Sequence, residues 1–279
     1  MVPSNDMQTT VRLANDLHVP AIGLGTWPLT GKTASETVSR ALSNGYRHVD
    51  TARNYENEEA VGQGIADAGL PRDELWVTSK FNRANHSRAG VRQAYEHALG
   101  RLRLDYLDLF LVHWPNPDLG HYVEACQELQ ELVDSGQLRA WGVSNFKASH
   151  LQAVYGAGLR PVLNQVQVDP HHLQAGLLAH HDELNLLTAA YSPLGRGGSF
   201  LEHPAITIPA ARHGKTPAQI VLRWHLDSGR IALPKSANET RQRENLNVFD
   251  FALSQTELRG IDSLDTGAGP RLDSDEYGH

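Results

Sequence analysis

Between Val11 and Pro20 apolar and polar positions alternate on both sides of Asn15-Asp16, a pair that tolerates the positive φ of a tight turn, so the chain opens on a short β-hairpin. Beyond it, brief runs rich in Val, Ile, Leu, Tyr and Trp recur between longer amphipathic stretches. The runs predict strands at 21–24, 46–50, 75–80, 106–113, 140–144, 163–167, 186–191 and 231–234. The stretches predict helices at 34–44, 57–67, 87–101, 121–135, 147–155, 216–228 and 239–247, with a short helix within 171–181 and an extra one at 204–213. Gly45, Gly136 and Gly229 each follow a predicted helix, where a left-handed residue ends it.

Strict alternation of strand and helix implies a parallel sheet covered by helices. Eight such units without a linker or composition break favour a closed (β/α)8 TIM barrel, with the N-terminal β-hairpin and extra helices after strands seven and eight. The whole chain, 1–279, reads as one domain.

Composition then narrows the partners. Hydrophobic residues at 40% and charged residues at 20% suit a folded core. Lys and Arg number 25 against 32 Asp and Glu, a net charge of -7 without a basic run, so nucleic acid and anionic membrane are not expected partners. Cys126 stands alone and the first ten residues lack a signal-peptide pattern, which points to the cytoplasm. The apolar stretch from Leu107 to Trp114 is far short of the ~20 residues of a spanning helix.

In α/β barrels chemistry gathers at the C-terminal strand ends. There the second, third and fourth strands deliver Asp50 and the nearby Tyr55, Lys80, and His113. Each alone has an ordinary structural reading as a turn cap, loop aromatic, snorkelling lysine or one of 15 histidines. Together they make a proton-delivery device. A free phenol with a pKa of about 10 is a poor acid, a nearby lysine cation lowers that value, Asp50 holds the lysine, and His113 donates to a carbonyl oxygen. Ser144, Asn145 and Gln165 end strands five and six with the donors and acceptors a carboxamide needs, and Tyr191 either faces the same cavity or packs in the core. The loop Leu194-Gly-Arg-Gly-Gly198 suits a pyrophosphate, and Lys235, Ser236 and Arg241 suit a phosphate monoester. Trp27, Phe81 and Trp114 are the candidate walls of a substrate pocket.

The segments His48-Val-Asp-Thr-Ala-Arg-Asn-Tyr55 with Asn57-Glu58, Lys80, Val112-His-Trp-Pro115, Gly142-Val-Ser-Asn-Phe146, Tyr191-Ser-Pro-Leu-Gly195 and Pro234-Lys-Ser236 through Arg241, Glu244 and Asn245 together resemble aldo-keto reductases. The resemblance spans about residues 10–270 and is specific in combination. It implies a catalytic tetrad of Asp50, Tyr55, Lys80 and His113, with Tyr55 as general acid and with Tyr55 and His113 meeting the substrate. It implies NADPH with its nicotinamide held by Ser144, Asn145 and Gln165, stacked on Tyr191 and approached by Thr26 and Asp50. Ser192, Leu194, Gly195 and Arg196 then hold the pyrophosphate, Lys235, Ser236 and Arg241 grip the 2′-phosphate, and Glu244 and Asn245 contact adenine. It further implies a monomeric enzyme acting on small aldehydes and ketones, similar to bacterial reductases of keto compounds such as diketogluconate.

Rival chemistries find little support. Gly23-Leu-Gly25 lacks the third glycine of a dinucleotide fingerprint and runs into Trp27-Pro28. The pairs His171-His172 and His180-His181 have no ligand partner at a recognised spacing, so no metal is expected. A nucleotide-sensing regulatory module remains the rival from another class. Arg53 departs from the small residue the family commonly has there, and it either points outward or narrows the channel. The short loop at 115–119 and the tail after Gly269 suggest an open substrate site.

Overall fold

The computed structural model describes residues 9–267 and 272–278. Strands β1 (Thr10–Arg12) and β2 (His18–Pro20) form the expected antiparallel hairpin, with Asp16 at φ 65° in its turn. Eight parallel strands follow: β3 (Leu24–Gly25), β4 (His48–Asp50), β5 (Trp76–Phe81), β6 (Leu109–Val112), β7 (Ala140–Ser144), β8 (Leu163–Gln167), β9 (Leu187–Tyr191) and β10 (Ile231–Leu233). They pair in sequence order from β3 to β10. A bridge between Ile22 and Ala232, with Gly23 N–H donating to Ala232 O at 2.9 Å, closes the last strand onto the first.

Gly23 has a structural duty at that seam. A Cβ there would meet Leu233 Cδ2 at 2.6 Å and the His48 ring at 2.8 Å, so the strands can close only over a residue without a side chain.

The barrel helices are α1 (Gly31–Ser43), α2 (Glu58–Ala68), α3 (Arg88–Leu102), α4 (Tyr122–Asp134), α5 (Ala148–Gly156), α6 (Ala175–Glu183), α8 (Pro217–Asp227) and α9 (Glu239–Leu246). The extra helix α7 (Pro204–His213) follows β9 as expected, and α10 (Gln255–Asp262) follows α9. Residues 171–174 are not helical; α6 starts at Ala175, after Gln174 in the left-handed region. Gly45, Gly136 and Gly229 have φ of 111°, 75° and 72°, the left-handed conformation expected of them.

Strand alternation sorts the side chains into two layers. Leu109, Leu111, Ala140, Leu163, Ala189, Ile231 and Leu233 fill the barrel, and Leu13 and Val19 of the hairpin join that cluster beside Trp76 and Val162, plugging the end where the strands begin. Val49, Val77, Phe81, Phe110, Val112, Trp141 and Val143 face the helices. At the plugged end Asp108, fully buried, takes Arg72 at 2.6 Å, Arg139, and the Val77 N–H at 2.8 Å. The opposite end is left to chemistry.

Candidate active site

Asp50 and Lys80 occupy the last inward positions of β4 and the end of β5, so both side chains enter the barrel mouth. Lys80 is fully buried; its Nζ donates to Asp50 Oδ1 at 2.7 Å, to Thr51 O at 2.9 Å and to the Tyr55 hydroxyl at 3.4 Å. Tyr55 reaches it from the short turn Arg53–Tyr55, which follows β4 by two residues. Asn57 braces that turn: it accepts from Thr51 Oγ1 at 2.7 Å and donates to Leu29 O at 2.8 Å. The His113 ring, one residue past β6, stands edge-on to Tyr55 with centroids 5.8 Å apart and planes at 78°. The four expected residues therefore converge.

The electrostatics differ in one respect from the simple expectation of a phenol made more acidic. Burial raises the Tyr55 pKa, and the Lys80 cation pulls it back only in part, with Asp50 adding to the rise. Burial also works to lower Lys80, but Asp50 and Tyr55 outweigh it and hold the ammonium charged. Tyr55 is thus a protonated donor at neutral pH with a cation placed to receive its conjugate base.

Ser144, Asn145, Gln165 and Tyr191 line the next sector of the mouth. Gln165 donates to Asp50 Oδ2 at 2.7 Å, a link that ties the candidate carboxamide site to the tetrad. Asn145, left-handed at φ 62°, donates to His113 O at 3.0 Å and accepts from the Tyr191 hydroxyl at 3.0 Å. Ser144 Oγ donates to Gln165 O at 2.8 Å. Thr26, buried at the end of β3, donates to Asp50 O at 3.0 Å.

After β9, Ser192, Leu194, Gly195 and Arg196 form a tight loop with Ser192, Gly195 and Arg196 all at positive φ. Its glycines do more than offer backbone donors: a Cβ on Gly195 or Gly198 would meet the Phe200 ring at 2.5 or 2.4 Å, so the loop is shaped around that ring. The Arg196 guanidinium lies 4.5 Å from the Trp27 ring centroid, joining loops from opposite sides of the barrel seam. After β10, Lys235 and Arg241 are exposed cations beside the N-terminus of α9, where Asn238 caps the Arg241 N–H at 3.0 Å. Ser236 is buried, bonded to the Asn238 backbone, while Asn245 is buried and Glu244 half-buried on the same helix. An amide-rich mouth, a glycine loop and a pair of cations at a helix N-terminus fit the carboxamide, pyrophosphate and 2′-phosphate of a dinucleotide.

The candidate pocket walls need correction. Trp27, 45% exposed, and Trp114 stand at the mouth. Phe81 does not: it follows inward-facing Lys80 on the same strand, so it faces the helices, 1% exposed against Phe110 and His86. The ring that packs on Trp114 is instead that of Tyr277, 4.9 Å away at 72°. The tail is therefore not a bystander. Lys147 binds Asp273 and, at 2.6 Å, Asp275; His150 Nε2 holds Asp275 at 2.8 Å. Residues 272–274 border a cavity of about 280 Å³ that reaches Asn145 and Tyr191, so the tail adjoins the candidate carboxamide site. Arg53 points outward, sharing a flank crevice with α3.

Comparison with known proteins agrees with this geometry. A model described as the Aldo/keto reductase family matches residues 21–266. The chain is 42% identical to the methylglyoxal reductase DkgA of Yersinia pestis over 98% of each chain, and 38% identical to the morphine 6-dehydrogenase of Pseudomonas putida over 92% of this chain and 91% of that one. A crystal structure of a Gox0644 mutant in complex with NADPH superposes with a TM-score of 0.92 at 38% identity, covering 98% of this chain and 99% of that one.

Proposed function

Because this chain belongs to the aldo/keto reductase family, we propose that Asp50, Tyr55, Lys80 and His113 are the site at which it reduces small aldehydes and ketones to alcohols with NADPH. The observation that carries the reading is the buried Lys80 ammonium, held between the Asp50 carboxylate and the Tyr55 phenol. When bound, the dihydronicotinamide supplies a hydride to the carbonyl carbon. Tyr55 gives its phenolic proton to the carbonyl oxygen, and Lys80 stabilises the phenolate left behind. Asp50 and Thr51 O keep Lys80 charged and aimed. His113 directs the carbonyl oxygen by a hydrogen bond from its ring.

Ser144, Asn145 and Gln165 hold the carboxamide and Tyr191 the ring face. Thr26 and Asp50 approach the nicotinamide, Ser192, Leu194, Gly195 and Arg196 hold the pyrophosphate, Lys235, Ser236 and Arg241 the 2′-phosphate, and Glu244 and Asn245 the adenine. Trp27, Trp114 and Tyr277 wall the substrate. The chain acts as a single-domain monomer in the cytoplasm. No helix of the described residues is long and apolar enough to cross a membrane, and the net charge of -7 disfavours nucleic acid. The relative named methylglyoxal reductase supports a small carbonyl substrate.

Turnover of NADPH with a panel of aldehydes tests the reading. Tyr55→Phe removes the transferable proton but keeps the ring, so reduction falls by about 10²- to 10⁴-fold while NADPH binding, read by fluorescence, is retained. Activity near that of the parent would remove Tyr55 from the acid role.

A further inference from the structure

Arg53 stands two residues before Tyr55, and the reductase reading gives it no task. Its guanidinium is exposed, and no hydrogen bond or ion pair to the described residues holds it. It borders a crevice of about 40 Å³ on the outer flank of the barrel, between the Arg53–Tyr55 turn and α3. His97 and Arg101 of α3 and Asn85 complete the rim, and the buried rings of Phe81 and Phe110 lie at its depth beside Lys80. No lining residue is acidic. Glu58 neighbours Arg101, but its carboxylate is spent on Arg101 Nε at 2.7 Å and Ser79 Oγ at 2.6 Å, which leaves the terminal nitrogens of Arg101 available.

We propose that this crevice is a binding site for a small oxyanion, a phosphate or carboxylate group, separate from the phosphate-binding end of the cofactor site. Arg53 and Arg101 both line this one space, and a guanidinium matches the planar pair of oxygens that such groups present. Arg53 has no counter-charge among the described residues and gains one when an anion enters, and the apolar floor strengthens the attraction by lowering the local dielectric. The size agrees. The crevice, about 40 Å³, clears the ~10–15 Å³ that a single water-sized sphere needs and is far smaller than the 280 Å³ cavity at the mouth, which suits a small oxyanion head.

The test is calorimetric titration of inorganic phosphate and of acetate into the full chain saturated with NADP+, so that the site of Lys235 and Arg241 is already filled. One saturable site is expected for at least one anion. Arg53→Ala weakens it at least tenfold, Arg53→Lys less, and His97→Ala two- to tenfold, with thermal melts equal to that of the parent. Tighter binding of phosphate assigns the site to phosphorylated ligands; tighter binding of acetate assigns it to carboxylates. Binding that does not saturate, that is equal in the parent and Arg53→Ala, or that disappears in Arg241→Ala and not in Arg53→Ala would overturn the proposal.

Discussion

Burial and Lys80 pull the Tyr55 phenol in opposite directions, and their balance sets how each direction of the reaction responds to pH. Burial wins, so the phenol stays protonated across neutrality and reduction is not limited by loss of the acid. Oxidation of an alcohol needs the phenolate and therefore rises with pH. In Lys80→Met the opposing attraction is gone, the pKa climbs further, and the oxidation profile moves to higher pH while reduction falls steeply. The same change strands the Asp50 carboxylate, a loss of about 3–5 kcal/mol for breaking a buried pair, so rates are compared below the lowered melting point. An unmoved oxidation profile with unimpaired reduction would leave Lys80 a purely structural residue. Arg241 is tested by binding. Charge-assisted bonds contribute roughly 1.5–3 kcal/mol, so Arg241→Ala weakens NADPH about 10- to 100-fold and NADH hardly at all. Equal losses for both cofactors in a fluorescence titration would contradict contact with the 2′-phosphate.

Elements whose pattern is local were readable from sequence, and those that depend on distant partners were not. β7, β8 and α7 fall within the residues expected, because alternation and helical period are written in each segment by itself. Helix α10 answers to the extra helix expected, without a residue range, after strand eight, although its start is legible: Ser254 and Glu257 form a capping box, with Ser254 N–H donating to Glu257 Oε2 at 2.8 Å. Phe81 has the residue type of a pocket wall at a strand end, but it follows inward-facing Lys80, and the period of two turns it outward. The tail at 272–278 gave no periodic signal, since its position is set by Lys147 and His150 more than 120 residues earlier. That clamp yields a prediction for the element. If Lys147 holds the tail so that Tyr277 walls the substrate, Lys147→Ala raises KM for aldehydes by a larger factor than it weakens NADPH, whose candidate contacts Asn145 and Tyr191 border the same cavity. Exposed ion pairs contribute about 0.2–1 kcal/mol each, so losing two raises KM roughly two- to thirtyfold. The difference shrinks in high salt, which screens the pairs in the parent. A KM equal to that of the parent at low salt would detach the tail from the substrate site.

At the scale of the whole molecule, the barrel hides several histidines that fold neutral, and this ties its stability to acid. Burial pushes His48, His86 and His181 down to about 4, and burial with the Arg230 cation takes His225 well below its usual value. His181 shows why a proton is unwelcome: its Nδ1 lies 2.8 Å from Thr188 Oγ1 and its Nε2 3.0 Å from the Asn164 amide nitrogen, a donor that requires Nε2 to accept. His225 is likewise fixed, its Nδ1 accepting from Arg230 Nε at 3.2 Å. Unfolded, these rings titrate near 6.5, so between about 6.5 and 4 the unfolded chain binds more protons than the native one and stability falls as pH falls. Each of the three rings placed near 4 contributes roughly 3 kcal/mol that is present above pH 6.5 and lost by pH 4. Urea denaturation from pH 8 to 4 should therefore give a flat plateau and then a decline beginning near 6.5, well above the range where carboxylates titrate. His181→Gln retains a donor and an acceptor but cannot take a proton in this range. It should lessen the slope of the decline by roughly 1.4 kcal/mol per pH unit, whatever it costs at the plateau. A slope unchanged by this substitution would mean that His181 is not among the groups that couple folding to protons, and that the acid sensitivity of the barrel arises elsewhere.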